Sequence, residues 1–166
     1  MVQITIAAAQ ILWLVLAAYY DIAGRLIPNR ICIGLALAGL IARLQFGFAP
    51  IAISAGITAG LFLPLLFMFV RNWIGGGDVK LLTAMALGLS PMGTALLIYI
   101  MALAGGVLSL TYLGMRYLPR PNLANSRSVL RRIYAVERWR IFKHAPVPYG
   151  VAIACGGIWA VLTTGV

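Results

Sequence analysis

Arg71-Asn72-Trp73-Ile74-Gly75-Gly76-Gly77-Asp78-Val79-Lys80 separates an apolar run ending at Val70 from another starting at Leu81. It holds one of only three acidic residues in 166; the others are Asp21 and Glu137. On either side the chain is apolar nearly throughout. Hydrophobic residues make up 63% and charged residues 10%. A soluble domain carries about 25% charged residues, and this chain has too little polar surface to cover a water-soluble globule. Soluble enzymes, disordered chains and secreted disulfide scaffolds are excluded. Cys32 and Cys155 lie in apolar stretches and form no CxxC pair, so no zinc or redox motif arises.

A spanning helix needs roughly 20 residues, so six would use most of the chain. The apolar runs are about 2–20, 31–45, 51–70, 81–89, 94–115 and 147–166. The fourth is short unless it begins near Asp78. The first has no basic n-region and no cleavage site, and reads as a retained helix. The expectation is an all-α polytopic membrane protein with about six transmembrane helices. A single transmembrane domain, 1–166, would carry one basic loop at about 116–146. Twelve of the thirteen Lys and Arg fall after helices 1, 3 and 5, and only Arg43 falls on the other side. The positive-inside rule makes the basic side cytoplasmic and puts both termini outside. The net charge of +10 is then expected to meet anionic membrane lipid, not nucleic acid. Within the loop, Val129, Leu130, Ile133, Tyr134, Trp139, Ile141 and Phe142 alternate with Arg, as in an amphipathic helix on the inner leaflet. Glu137 is expected to pair with Arg140. Gly56 and Gly60 form a GxxxG pair, and Gly105-Gly106 sit mid-helix, both signals of close helix packing. Pro64 is expected to kink the third helix.

Asp21 and Asp78 emerge on the same side. Asp78 precedes a helical run and has an ordinary reading as an N-cap. Asp21 follows a helix, where the macrodipole prefers a cation. The three glycines before Asp78 weaken a helix by about 1 kcal/mol each, and a simple cap needs none of them. They allow φ > 0 and close backbone approach, which suits an extended peptide bound by main-chain hydrogen bonds. If helices 1 and 4 pack together, two carboxylates share a site. Repulsion separates their ionisation. The ionised one takes a proton from water; the protonated one bonds to the scissile carbonyl and helps protonate the leaving amine. That is aspartic peptidase chemistry, with no metal or organic cofactor. His144 is the only histidine, and HExxH, P-loop and GxSxG motifs are absent.

Gly75-Gly76-Gly77-Asp78-Val79-Lys80-Leu81 resembles the GxGDxKL motif of the GxGD membrane aspartic peptidases. Asp21 with Arg25-Leu26-Ile27-Pro28-Asn29 resembles the D-x-x-x-R-x-I-P-N motif of type IV prepilin peptidases. Val147-Pro148-Tyr149-Gly150 resembles the PYG segment opening that family's last helix. The chain is most similar to the short Tad/Flp-pilus, CpaA/TadV-like form. The resemblance implies cleavage of a short basic leader from prepilins at the cytoplasmic face of the bacterial inner membrane. It implies Asp21 and Asp78 as the catalytic pair. Gly75, Gly76, Gly77, Lys80, Arg25, Pro28, Asn29, Pro148, Tyr149 and Gly150 would shape the site or bind substrate. Lys80 is expected to partner a carboxylate, of the dyad or of the substrate. The loop between helices 1 and 2 has only about ten residues and no CxxC, unlike longer bifunctional relatives, so peptidase activity without N-methyl transfer is expected.

Two other readings use the same residues. A small ion-coupled transporter would bind an ion at the two acids, since broken helices and glycines near acids suit transporters. A non-enzymatic secretion or pilus assembly subunit would use them as caps. Archaeal preflagellin peptidases share the dyad and compete at the level of substrate.

Overall fold

The computed structural model describes residues 1–117 and 147–164. The expectations for the basic loop, including the amphipathic run at 129–142 and the Glu137–Arg140 pair, lie outside the described residues. Six helices account for nearly all that is described: α1 (Val2–Gly24), α2 (Asn29–Leu44), α3 (Phe48–Val70), α4 (Gly76–Leu87), α5 (Pro91–Tyr117) and α6 (Tyr149–Thr164). There is no strand among these residues. The chain divides into two compact units, Met1–Ala104 with Pro148–Val166, and Gly105–Val147. The candidate site lies within the first.

Three helices, α1, α3 and α5, are long and apolar enough to cross a membrane, with mean hydropathies of 1.8, 2.1 and 2.0. α2 and α6 have 16 residues each, and α4 has 12. At about 1.5 Å per residue, α4 is roughly 18 Å long, well under the ~30 Å hydrocarbon core. Three of the six expected spans therefore reach full spanning length. The short α4 packs against α2, α3 and α6, so its backbone is shielded by protein.

The helix ends follow from local chemistry. α1 stops where Arg25 turns left-handed, φ 56°, and its N–H bonds the Asp21 carbonyl at 2.9 Å. Pro28, with φ fixed at −62°, opens α2, where the missing N–H of proline costs nothing. Gly47, φ 99°, makes the tight turn into α3. Asn72, φ 58°, ends the turn after α3, a residue that tolerates this region better than most. Pro64 lies inside α3, and the helix runs through it.

The core is built from Leu14, Leu35, Leu81, Met85, Leu97 and Ile153, all essentially sealed from solvent. Around it a coat of large apolar side chains faces outward, among them Leu12, Val15, Leu37, Phe62, Leu63 and Leu103. That inversion suits lipid as solvent. Without a hydrophobic drive between helices, close packing depends on small residues. Gly39 and Gly88 supply it: a Cβ built on either would stand 2.6 or 2.5 Å from the other's Cα. Gly34 lies under the Trp13 ring, and Gly156 lies against the Leu97 carbonyl. The expected GxxxG pair does not do this. A Cβ on Gly56 or Gly60 would meet nothing within 4 Å, and the same holds for Gly106. Spacing alone selected the wrong glycines, because it does not encode which face of a helix meets a neighbour.

Candidate active site

Along α1 the buried residues are Gln10, Leu14, Ala17 and Asp21. Steps of four, three and four put them on one face of a helix. Asp21 therefore continues the inward stripe of α1 and sits in its last turn, where the sequence reading placed it just beyond the helix. It is 6% exposed. α6 meets it from the other side. The Gly150 N–H donates to Asp21 Oδ2 at 2.7 Å. Burial is the largest influence on this carboxyl and opposes its charge, while the Gly150 N–H, the Arg25 guanidinium and the Val151 N–H favour the charge. Pro148 precedes α6 and Gly150 is its second residue, so Gly150 N–H and Val151 N–H are first-turn donors that a helix leaves free for other partners. Gly150 also has no room for a side chain: its Cβ would lie 2.8 Å from Asp21 Oδ2 and 3.0 Å from Cγ.

Asp78 lies in the first turn of α4, outside the three helices of spanning length. The N-cap is Gly75, with no side-chain cap bond, which corrects the reading of Asp78 as an ordinary N-cap. Instead the Asp78 N–H bonds the Gly75 carbonyl at 3.1 Å. Its carboxyl is half-buried. Burial first, and the Asp21 charge second, push it from the ordinary 3.8 up to about 6. The charge of Asp21 on α1 thus acts on the carboxyl of Asp78 on α4.

The three glycines serve by lacking a Cβ. None has positive φ; Gly75 has φ −69°. Freedom for a left-handed turn, expected from the sequence, is not what they supply. A Cβ on Gly75 would stand 3.2 Å from Asp78 Oδ2, one on Gly76 would press the Phe69 ring at 3.0 Å, and one on Gly77 would touch Ile27 at 3.4 Å. Ile27 belongs to the loop after α1, so Gly77 lets the two motif segments approach.

Lys80 faces elsewhere. Two residues from Asp78, it points round the helix and donates to Asn29 Oδ1 at 3.1 Å. Lys80, Thr83, Ala84 and Leu87 line one wall of a groove of about 440 Å³, with Asn29 and Cys32 opposite. The structure therefore gathers Asp21, Asp78, Arg25, Gly75 and Gly150 on one side of α4, and Lys80 with Asn29 on another. Pro28 and Pro148 open α2 and α6, and Tyr149 is exposed. The Val151 N–H was not anticipated, since a backbone donor leaves no mark in side-chain identity. Among the described residues no three His, Cys, Asp or Glu side chains gather as a metal site.

The profile of the type IV leader peptidase family matches residues 8–110. A prepilin leader peptidase/N-methyltransferase from Bacillus subtilis (strain 168) is 30% identical over 154 residues, covering 90% of this chain and 52% of that protein. The chain spans about half the length of this curated relative. No solved structure matches it.

Proposed function

The chain belongs to the type IV leader peptidase family, and from that premise we propose that it is an integral membrane aspartic endopeptidase with Asp21 and Asp78 as its catalytic pair. The substrate is a prepilin of the Flp kind: a short basic leader, then Gly, then a hydrophobic helix. The observation that supports this reading is the Asp78 carboxyl, pushed to about 6 by burial first and then by the charge of Asp21, which stands on a different helix. A pair poised to hold one proton is what water activation and carbonyl polarisation require together. The enzyme sits in the inner membrane, with the dyad toward the cytoplasm. The positive-inside distribution of Lys and Arg supports that orientation.

Cleavage without N-methyl transfer is part of the same reading. Only residues 25–28 connect α1 to α2, which leaves no room there for an inserted segment. Co-expression with a Flp-type prepilin tests the whole proposal. Asp21→Asn and Asp78→Asn should each abolish processing while the protein still inserts, and the mature product should carry an unmethylated N-terminus by mass spectrometry. Normal cleavage by either variant would overturn the dyad.

A further inference from the structure

The two carboxyls of the pair have different surroundings. Asp21 is the more enclosed of the two, and that burial is the strongest influence opposing charge on it; against it stand the Gly150 N–H at 2.7 Å, the guanidinium of Arg25, which caps α1, and the Val151 N–H. Among the described residues Asp78 receives no hydrogen bond, and the only charge that acts on it there is that of Asp21. Lys80, the nearest cation in sequence, is turned to Asn29. A carboxylate is the better acceptor for helix-start N–H groups, and the positive end of α6 favours negative charge there. The absence of a side chain at position 150 makes this contact possible.

We propose that the start of α6 fixes the division of labour in the dyad: the Gly150 N–H, with that of Val151 beside it, holds Asp21 as the carboxylate, while Asp78 keeps the acidic proton. Gly150 is a positioning residue. The inference rests on the dyad reading above and deepens it. In the first step the Asp21 carboxylate takes a proton from water as the water oxygen bonds to the scissile carbon. Asp78 gives its proton to the carbonyl oxygen, leaving a gem-diol. In the second step Asp78 takes a proton back from one hydroxyl and the carbonyl reforms. The C–N bond breaks, and the proton held on Asp21 passes to the leaving nitrogen. Both groups return to their starting states.

The chain has just two aspartates, so a protein made cell-free in lipid nanodiscs with carboxyl-¹³C aspartate gives two side-chain carboxyl resonances. Titrated from pH 5 to 8 without substrate, one resonance should move and the other should hold its carboxylate position. The moving resonance should be missing from Asp78→Asn and the still one from Asp21→Asn. In Gly150→Ala the Asp21 resonance should leave its carboxylate position. A moving resonance that is missing from Asp21→Asn overturns the assignment. A folded Gly150→Ala with both resonances unchanged overturns the role of α6. If that variant does not fold, the assignment in the unsubstituted protein still decides the division of labour. A purely structural cap would lower stability in Gly150→Ala and leave the titration order untouched. The titration reads protonation alone, so its failure is distinct from a failure of the cleavage assay.

Discussion

The Lys80 ammonium donates to Asn29 Oδ1 at 3.1 Å, tying the second turn of α4 to the first residue of α2. The bond joins the two motifs that bear Asp21 and Asp78, on the side of α4 away from the proposed dyad. It is exposed, so its net worth is modest, about 1 kcal/mol. Asn29→Ala and Lys80→Met should each lower cleavage several-fold, and the double variant should be little worse than either. A double-mutant cycle on kcat/KM measures the coupling. Independent effects that multiply would place Lys80 on a partner other than Asn29.

The proton on Asp78 predicts a pH dependence for activity. The proposed mechanism needs one protonated carboxyl, so kcat/KM should fall above about pH 6 as the free enzyme loses that proton. Cleavage of a detergent-solubilised prepilin across pH 5 to 8 checks this. A flat profile through that range would remove Asp78 as the acid.

The same shift has a consequence for stability with its own sign. In the unfolded chain Asp78 ionises near 3.8; in the fold it holds its proton to about 6. Between those values the native state binds more protons, so stability falls as pH rises through the window. The gap corresponds to about 3 kcal/mol at most, and is fully felt above pH 6. Asp78→Asn, neutral at every pH, should therefore be inactive yet more heat-stable than the parent at pH 7.5, with the difference vanishing near pH 4. Thermal unfolding in detergent at the two pH values measures it.

Much of this was legible in the residues. The six helices fall where the apolar runs put them, and α4 starts at Gly76, as an origin near Asp78 required. The steps Gln10, Leu14, Ala17, Asp21 were also there to be read as one face. What hydropathy did not encode is rotation. Lipid and protein core both reward apolar side chains, so an apolar run does not say which face meets another helix. Hence α3 offered Gly56 and Gly60, while the close approach is made by Gly39 and Gly88. The contact between Gly150 and Asp21 spans 129 positions and uses a backbone donor, so no local pattern announces it.

That difference among glycines is itself testable. Gly39→Ala and Gly88→Ala place a Cβ against backbone that has no side-chain freedom to yield, and each should cost about 1–3 kcal/mol as overpacking. Gly56→Ala and Gly60→Ala enter open space and should stabilise α3 by up to about 1 kcal/mol through helix propensity. Thermal unfolding of the four variants ranks them. Destabilisation by the α3 pair would show that this face packs against another chain.

Gln10 sits on the same α1 face as Asp21, 1% exposed, beside the Gly39–Gly88 crossing. Neither its Oε1 nor its Nε2 has a hydrogen-bond partner among the described residues. A buried amide left unpaired costs about 1–3 kcal/mol, and methionine has a similar length with no such demand. Gln10→Met should thus raise stability, with the melting temperature climbing roughly 2–4 °C per kcal/mol for a chain of this size. Cleavage should be unchanged, since Gln10 lies three turns from Asp21 along α1. A fall in melting temperature would mean that the amide is satisfied in the membrane by a partner, and would make this crossing a second polar site in the helix bundle.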